Sequence, residues 1–163
     1  MPEKNSGVPS LYEWLGGADV LQKLTVRFYE RVLADDLLRP LFAGMASDHP
    51  RHVADFIGEV TGGAPDYSAS RGGHHTMLAH HFGRNITEEQ RRRWVNLLLD
   101  TADEVGLPND PEFRSALVAY LEWGSRLAVI NSKLPAETTA DPSTPMPRWD
   151  WGVPGGPYIE KKD

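Results

Sequence analysis

The sequence predicts an all-α fold built around one core, and three observations carry that expectation. Four stretches place apolar residues at helical spacing, capping or breaking residues stand at their ends, and no run of β-branched residues alternates as a strand would. With 163 residues, 40% of them hydrophobic, the chain has material for a single domain of ordinary size.

The elements follow in order. Leu11 to Leu15 and Asp36 to Phe42 are each long enough for a turn or two of helix. Between them, Leu21, Leu24, Phe28 and Val32 form one apolar stripe. Val53, Phe56, Ile57 and Val60 form a second, which stops at Gly62 and Gly63. Thr87 and Gln90 have the spacing of a capping box, and Trp94, Leu97, Leu98, Thr101 and Val105 share a face behind it until Gly106 and Pro108 end the helix. Asp110 followed by Pro111 starts the last helix, in which Phe113, Leu117, Tyr120, Leu121, Gly124, Leu127 and Ala128 repeat up to Asn131. A short loop joins these last two helices, so they should pack antiparallel.

The expected organisation is an extension over 1–9, a helical domain over 10–133 and a tail over 134–163 rich in proline and tryptophan. Pro135, Pro142, Pro145, Pro147, Pro154 and Pro157 predict extended or polyproline-like chain there. Trp149, Trp151 and Tyr158 are large apolar groups for such a segment. They either staple the tail to the body or form a surface for a partner.

Composition removes several classes of function. A net charge of -6 offers no basic stripe to neutralise phosphates, so nucleic-acid binding is not expected. No apolar run reaches the roughly 18 residues that span a bilayer. MPEKNSGVPS lacks the basic and then apolar regions of a signal peptide, which makes a cytoplasmic location the expectation. Without cysteine there are no disulfides, thiolate metal sites or iron–sulfur clusters, and no C-x-x-C-H attachment of a covalent haem.

All six histidines fall between residues 49 and 81, at His49, His52, His74, His75, His80 and His81. Neutral imidazole is the commonest protein ligand for iron, zinc and copper, so the cluster raises a metal or haem site. A non-haem site would use His49 and His52, three apart on one helix, with Asp48 or Asp55. A haem site needs one axial imidazole, an apolar slot and polar groups aimed at the opposite face of the iron and at the propionates.

The stretch Met77-Leu-Ala-His-His81-Phe-Gly-Arg84-Asn-Ile86-Thr87 resembles the proximal motif of the truncated haemoglobins, with a methionine four residues before the ligand histidine. Further marks stand in order: Phe28-Tyr29 on the first long helix, Phe42 where an aromatic packs on the haem, and Gly62-Gly63 followed by Tyr67. Trp94, thirteen residues after His81, sits where a tryptophan distinguishes group II members. The resemblance spans roughly residues 10 to 132 and implies a truncated globin-like helical sandwich, a globin domain followed by the extended tail.

That resemblance implies non-covalent haem b with His81 as the iron ligand. Tyr29 and Trp94 become the distal hydrogen-bond donors, and both carry donors that are costly to bury without a partner. Phe42 and Val53 become distal wall, and Met77 and Ile86 line the haem. His49 falls at the mouth of the distal pocket. Pro50 after it disfavours helical geometry at His49, so it either joins the distal donors or caps the helix and points outward. His52, Tyr67, His80 and Arg84 are candidates for the propionates. The implied function is binding of O2, NO or CO. A redox enzyme, converting nitric oxide with oxygen or turning over peroxide, is the alternative. It would need an external reductase, because the chain holds no flavin or nicotinamide motif. A non-haem histidine metal protein is the remote alternative, and nothing in the sequence sets the oligomeric state.

Overall fold

The computed structural model describes residues 7–152, and every regular element among them is helical. In chain order these are α1 (Leu11–Leu15), α2 (Ala18–Leu33), α3 (Arg39–Phe42), α4 (His49–Val60), α5 (Asp66–Arg71), α6 (His74–Ala79), α7 (Glu88–Glu104) and α8 (Pro111–Ser132). The segment from Asp36 to Phe42 holds one turn of helix, Arg39–Phe42, within the turn or two expected.

Local chemistry accounts for the boundaries. The Thr87 hydroxyl accepts from the Gln90 backbone while the Gln90 side chain accepts from the Thr87 backbone, the reciprocal capping box the spacing predicted. The Asp110 carboxylate accepts from the Phe113 N–H at 2.9 Å and opens α8, with Pro111 at its first turn. Between α7 and α8, Gly106 takes φ +80°, a left-handed conformation that glycine adopts without Cβ strain.

Four helices form the body as antiparallel pairs. In the first pair, Leu21 on α2 lies beside Gly58 on α4, and Tyr29 meets His49 at the other end. In the second, Arg91 on α7 reaches Glu122 and Ser125 on α8, while Asp103 pairs with Arg114 at 2.9 Å. Across the pairs, Phe28 packs edge-on to Trp94, and Arg27 and Arg31 reach Glu104. Leu21, Leu24, Phe28 and Val32 are buried, as are Phe56, Ile57, Val60, Leu97, Leu98, Phe113, Leu117 and Leu121. This agrees with the predicted stripes. Arg91 was not foreseen in the core, and its burial is made possible by two Glu88 contacts at 2.6 and 2.8 Å plus Ser125 at 3.1 Å.

The tail is ordered onto this body through residue 152. It is irregular chain with tight turns closing Pro135 to Thr138 and Asp141 to Thr144, not a continuous polyproline helix. Trp149 and Trp151 staple it: the Trp149 N–H donates to the Val60 carbonyl at 2.8 Å, and the Trp151 indole donates to the Pro9 carbonyl at 2.7 Å. Pro154, Pro157 and Tyr158 lie outside the described residues. No helix of the described chain is long and apolar enough to cross a membrane.

Candidate functional site

The long helix α2 presents Phe28 and Tyr29 into the body. Tyr29 is only 3% exposed and is ringed by aromatic groups: Phe28 at 4.9 Å, Phe42 at 5.6 Å and the His49 imidazole at 4.8 Å. The Trp94 indole, carried in on α7 and edge-on to Phe28, lies close enough to the Tyr29 hydroxyl to favour its ionised form. Burial pushes the Tyr29 pKa well above the ordinary tyrosine value, and Trp94 offsets only part of that rise. The hydroxyl therefore stays protonated and able to donate. Phe42, Val53 and Trp94 are half-buried against the core.

His49 turns inward. It is the first residue of α4, and Pro50 is accommodated there because the first turn needs no N–H from it and sets no i−4 carbonyl against its ring. Its ring stands edge-on to Tyr29, and its Nε2 is buried without a hydrogen-bond partner. Burial, chiefly, with the nearby His80 and His52, lowers its pKa to about 4. The outward cap position considered from the sequence is not adopted.

On the other side, α6 ends at Ala79, and His81 follows with its backbone N–H bonded to the Leu78 carbonyl at 3.0 Å. The His81 Nδ1 is also buried and unpartnered. Burial lowers its pKa to about 4, with His80, Arg84, His49 and His74 acting in the same direction. A neutral imidazole keeps the lone pair that a metal ligand needs. Since His49 contributes to the shift of His81, the two rings lie within electrostatic reach of each other. Met77 is half-buried against the core, and Ile86 is half-buried where its N–H meets the Ser132 hydroxyl at 3.0 Å.

A polar rim whose cations are Arg71 and Arg84 closes one edge. His52 stands 3.2 Å from Asp48 and against the Arg71 guanidinium, while Arg84 donates to the His80 carbonyl at 3.1 Å. Partial burial lowers the His80 pKa first, then Arg84, Arg71 and His52, so each of these three groups lies within electrostatic reach of His80. Tyr67 is buried edge-on to Phe56 at 5.0 Å, with Arg71 close enough to oppose the rise in its pKa. Arg71 was missed from the sequence. Its signal was available only in hindsight of the fold, as a cation in the last turn of α5 opposite the start of α4.

The donor set fits haem better than a bare ion. Among the described residues no three histidines or carboxylates gather to hold a metal, and His49 and His52 face different surroundings despite sharing α4. A neutral buried imidazole at His81, an aromatic slot and a rim that carries Arg71 and Arg84 match instead an iron, a flat apolar ring and two propionates.

Comparisons with known proteins agree. A family model for bacterial-like globins matches residues 10–123. The group 2 truncated hemoglobin YjbI of Bacillus subtilis is 34% identical over 110 residues, covering 68% of this chain and 81% of the relative. The solved truncated oxygen-avid haemoglobin from Bacillus subtilis superposes with a TM-score of 0.66 at 32% identity, covering 74% of this chain and 99% of its own. The hemoglobin of Chloroflexus aurantiacus gives the same TM-score at 29% identity, over 74% and 98%.

Proposed function

The chain belongs to the bacterial-like globin family as a truncated haemoglobin of group II, which carries non-covalent haem b, and on that premise we propose that it binds O2 and other diatomic ligands opposite His81. The observation that carries this reading is the aromatic cluster of Tyr29, Phe42 and His49 with the neutral imidazole of His81 within electrostatic reach of it. Haem, when bound, supplies the iron at which the small ligand binds.

The chain's own residues do the rest. His81 holds the iron through a neutral ring nitrogen. Tyr29 donates a hydrogen bond into the distal space, Trp94 orients that hydroxyl through its indole N–H, and His49 adds a second polar group from α4. Phe42 and Val53 exclude water from the same space, which strengthens every hydrogen bond made there. His52, His80, Arg84 and Arg71 hold the propionates, with Tyr67 supporting that edge from beneath Phe56. The cytoplasmic location expected from the sequence belongs to the same proposal.

The test is reconstitution of the chain and of a His81→Ala variant with haemin, followed by absorption spectra of the ferric, ferrous and CO-bound forms. A sharp ferrous–CO Soret band in the unaltered chain, shifted or lost in the variant, is the expected result. No haem uptake by either protein would overturn the reading.

A further inference from the structure

The family match ends at residue 123, and the tail beyond α8 has contacts of its own with the segment that carries His81. The helix α6 has six residues, and its N-cap is Gly73, which supplies no side-chain cap. A helix this short does not hold its shape alone. The His81 ring, moreover, has no hydrogen-bond partner on its Nδ1 to orient it. Metal-ligating histidines are ordinarily aimed by such a bond. Here the aim of the ring is left to the backbone beneath it.

That backbone is held downstream of His81 by the tail at Leu134 and Ala136 and by the end of α8 at Ser132 and Lys133, and upstream by the tail again. Downstream, the Gly83 N–H donates to the Leu134 carbonyl at 2.8 Å and the Asn85 N–H to the Ser132 carbonyl at 2.9 Å. Lys133 reaches the Asn85 side chain at 2.8 Å and the Ile86 carbonyl at 2.7 Å. The two chains run so close that a Cβ on Gly83 would stand 2.6 Å from the Ala136 Cβ. Upstream, at the start of α6, His74 faces the Pro145 carbonyl, and its buried ring lies between Phe56 at 5.9 Å and Trp123 at 6.3 Å. Trp149 then locks the far side, its ring 5.6 Å from Trp123 and 5.8 Å from Tyr120 and its N–H on Val60.

We propose that residues 134–152 form a strap that clamps α6 against α4 and α8, and that His74 and Trp149 are positioning residues that set the orientation of His81. The proposal rests on His81 being the iron ligand. The strap takes over, through main-chain bonds and aromatic packing, the role that a hydrogen bond to Nδ1 would otherwise serve.

The experiment compares the full chain with Trp149→Ala and with His74→Phe, which keeps an aromatic ring between Phe56 and Trp123 but removes the imidazole that faces Pro145. Amide hydrogen exchange on the haem-free proteins is read for residues 74–82. After haemin uptake, the iron–histidine stretching band of the ferrous form and the rate of haem transfer to excess apomyoglobin are measured. The expected result is exchange at 74–82 faster by tenfold or more while α7 keeps its protection, a shifted or broadened iron–histidine band, and haem transfer several times faster. Unchanged exchange and an unchanged band in both variants would overturn the strap. If Trp149→Ala also loses protection in α7, Trp149→Phe and His74→Phe decide the question in its place. Failure of the unaltered chain to take up haemin would overturn the haem reading, whereas the exchange measurement would still report whether the tail holds α6.

Discussion

At Tyr29 the proposed distal chemistry draws on two residues from different helices, the hydroxyl on α2 and the Trp94 indole brought to it on α7. A hydrogen bond in a dry pocket contributes on the order of 1 kcal/mol, about fivefold in a rate. Tyr29→Phe and Trp94→Leu are each expected to speed oxygen dissociation from the reconstituted protein by about that factor, measured by stopped-flow displacement with CO. The double variant should show less than the product, since Trp94 acts partly through Tyr29. His49 and His74 make a second residue-scale prediction, in which the sign follows from burial. Both are held below the ordinary histidine pKa, His49 at about 4, so the folded chain keeps them neutral where the unfolded chain takes up protons. The unfolded state therefore binds more protons below about pH 6.5, and stability falls as pH drops from there towards 4. Thermal melts of the haem-free protein should show that fall, and His49→Leu and His74→Phe should each flatten it. Legibility differed sharply between these residues. Tyr29, Trp94 and His81 were nominated from local motifs, whereas the direction of His49 needed the ring of Tyr29 to be in place.

The helices owe their ends to short-range chemistry, and this made them readable. Asp110 shows how one such end acquired a second task. One carboxylate oxygen caps α8 through Phe113 while the other accepts the Trp14 indole from α1 at 2.9 Å, 96 positions away in sequence. Loss of the cap costs about 1 kcal/mol and loss of the indole bond about the same. Asp110→Ala is thus expected to destabilise by about 2 kcal/mol in urea denaturation, against about 1 kcal/mol for Thr87→Ala, which removes a cap alone. Equal effects would show that the Trp14 bond adds nothing. Gly63 illustrates a close approach that periodicity could not reveal. A Cβ there would meet the Gly58 carbonyl at 2.8 Å and the Tyr12 ring at 2.9 Å, so the glycine after α4 is also a contact between α1 and α4.

For the molecule as a whole, haem and fold are linked by mass action. A ligand held only by the folded chain and present at 100 times its dissociation constant adds about 2.7 kcal/mol, which for a chain of this size is a rise in Tm of about 5 to 10 °C. Haemin should produce a rise of that order in the unaltered chain and less than half of it in His81→Ala, followed by circular dichroism. The all-helical class, the ends of the long helices α7 and α8 and the family marks were legible in the sequence alone, and the resemblance nominated His81. Each rests on spacing or capping within a few residues, where backbone geometry leaves little choice. Tertiary structure decided the inward turn of His49, the polar rim with Arg71, the burial of Arg91 and the path of the tail over α6. These depend on groups far apart in the chain that meet only when the helices pack, and local pattern carries no record of such meetings.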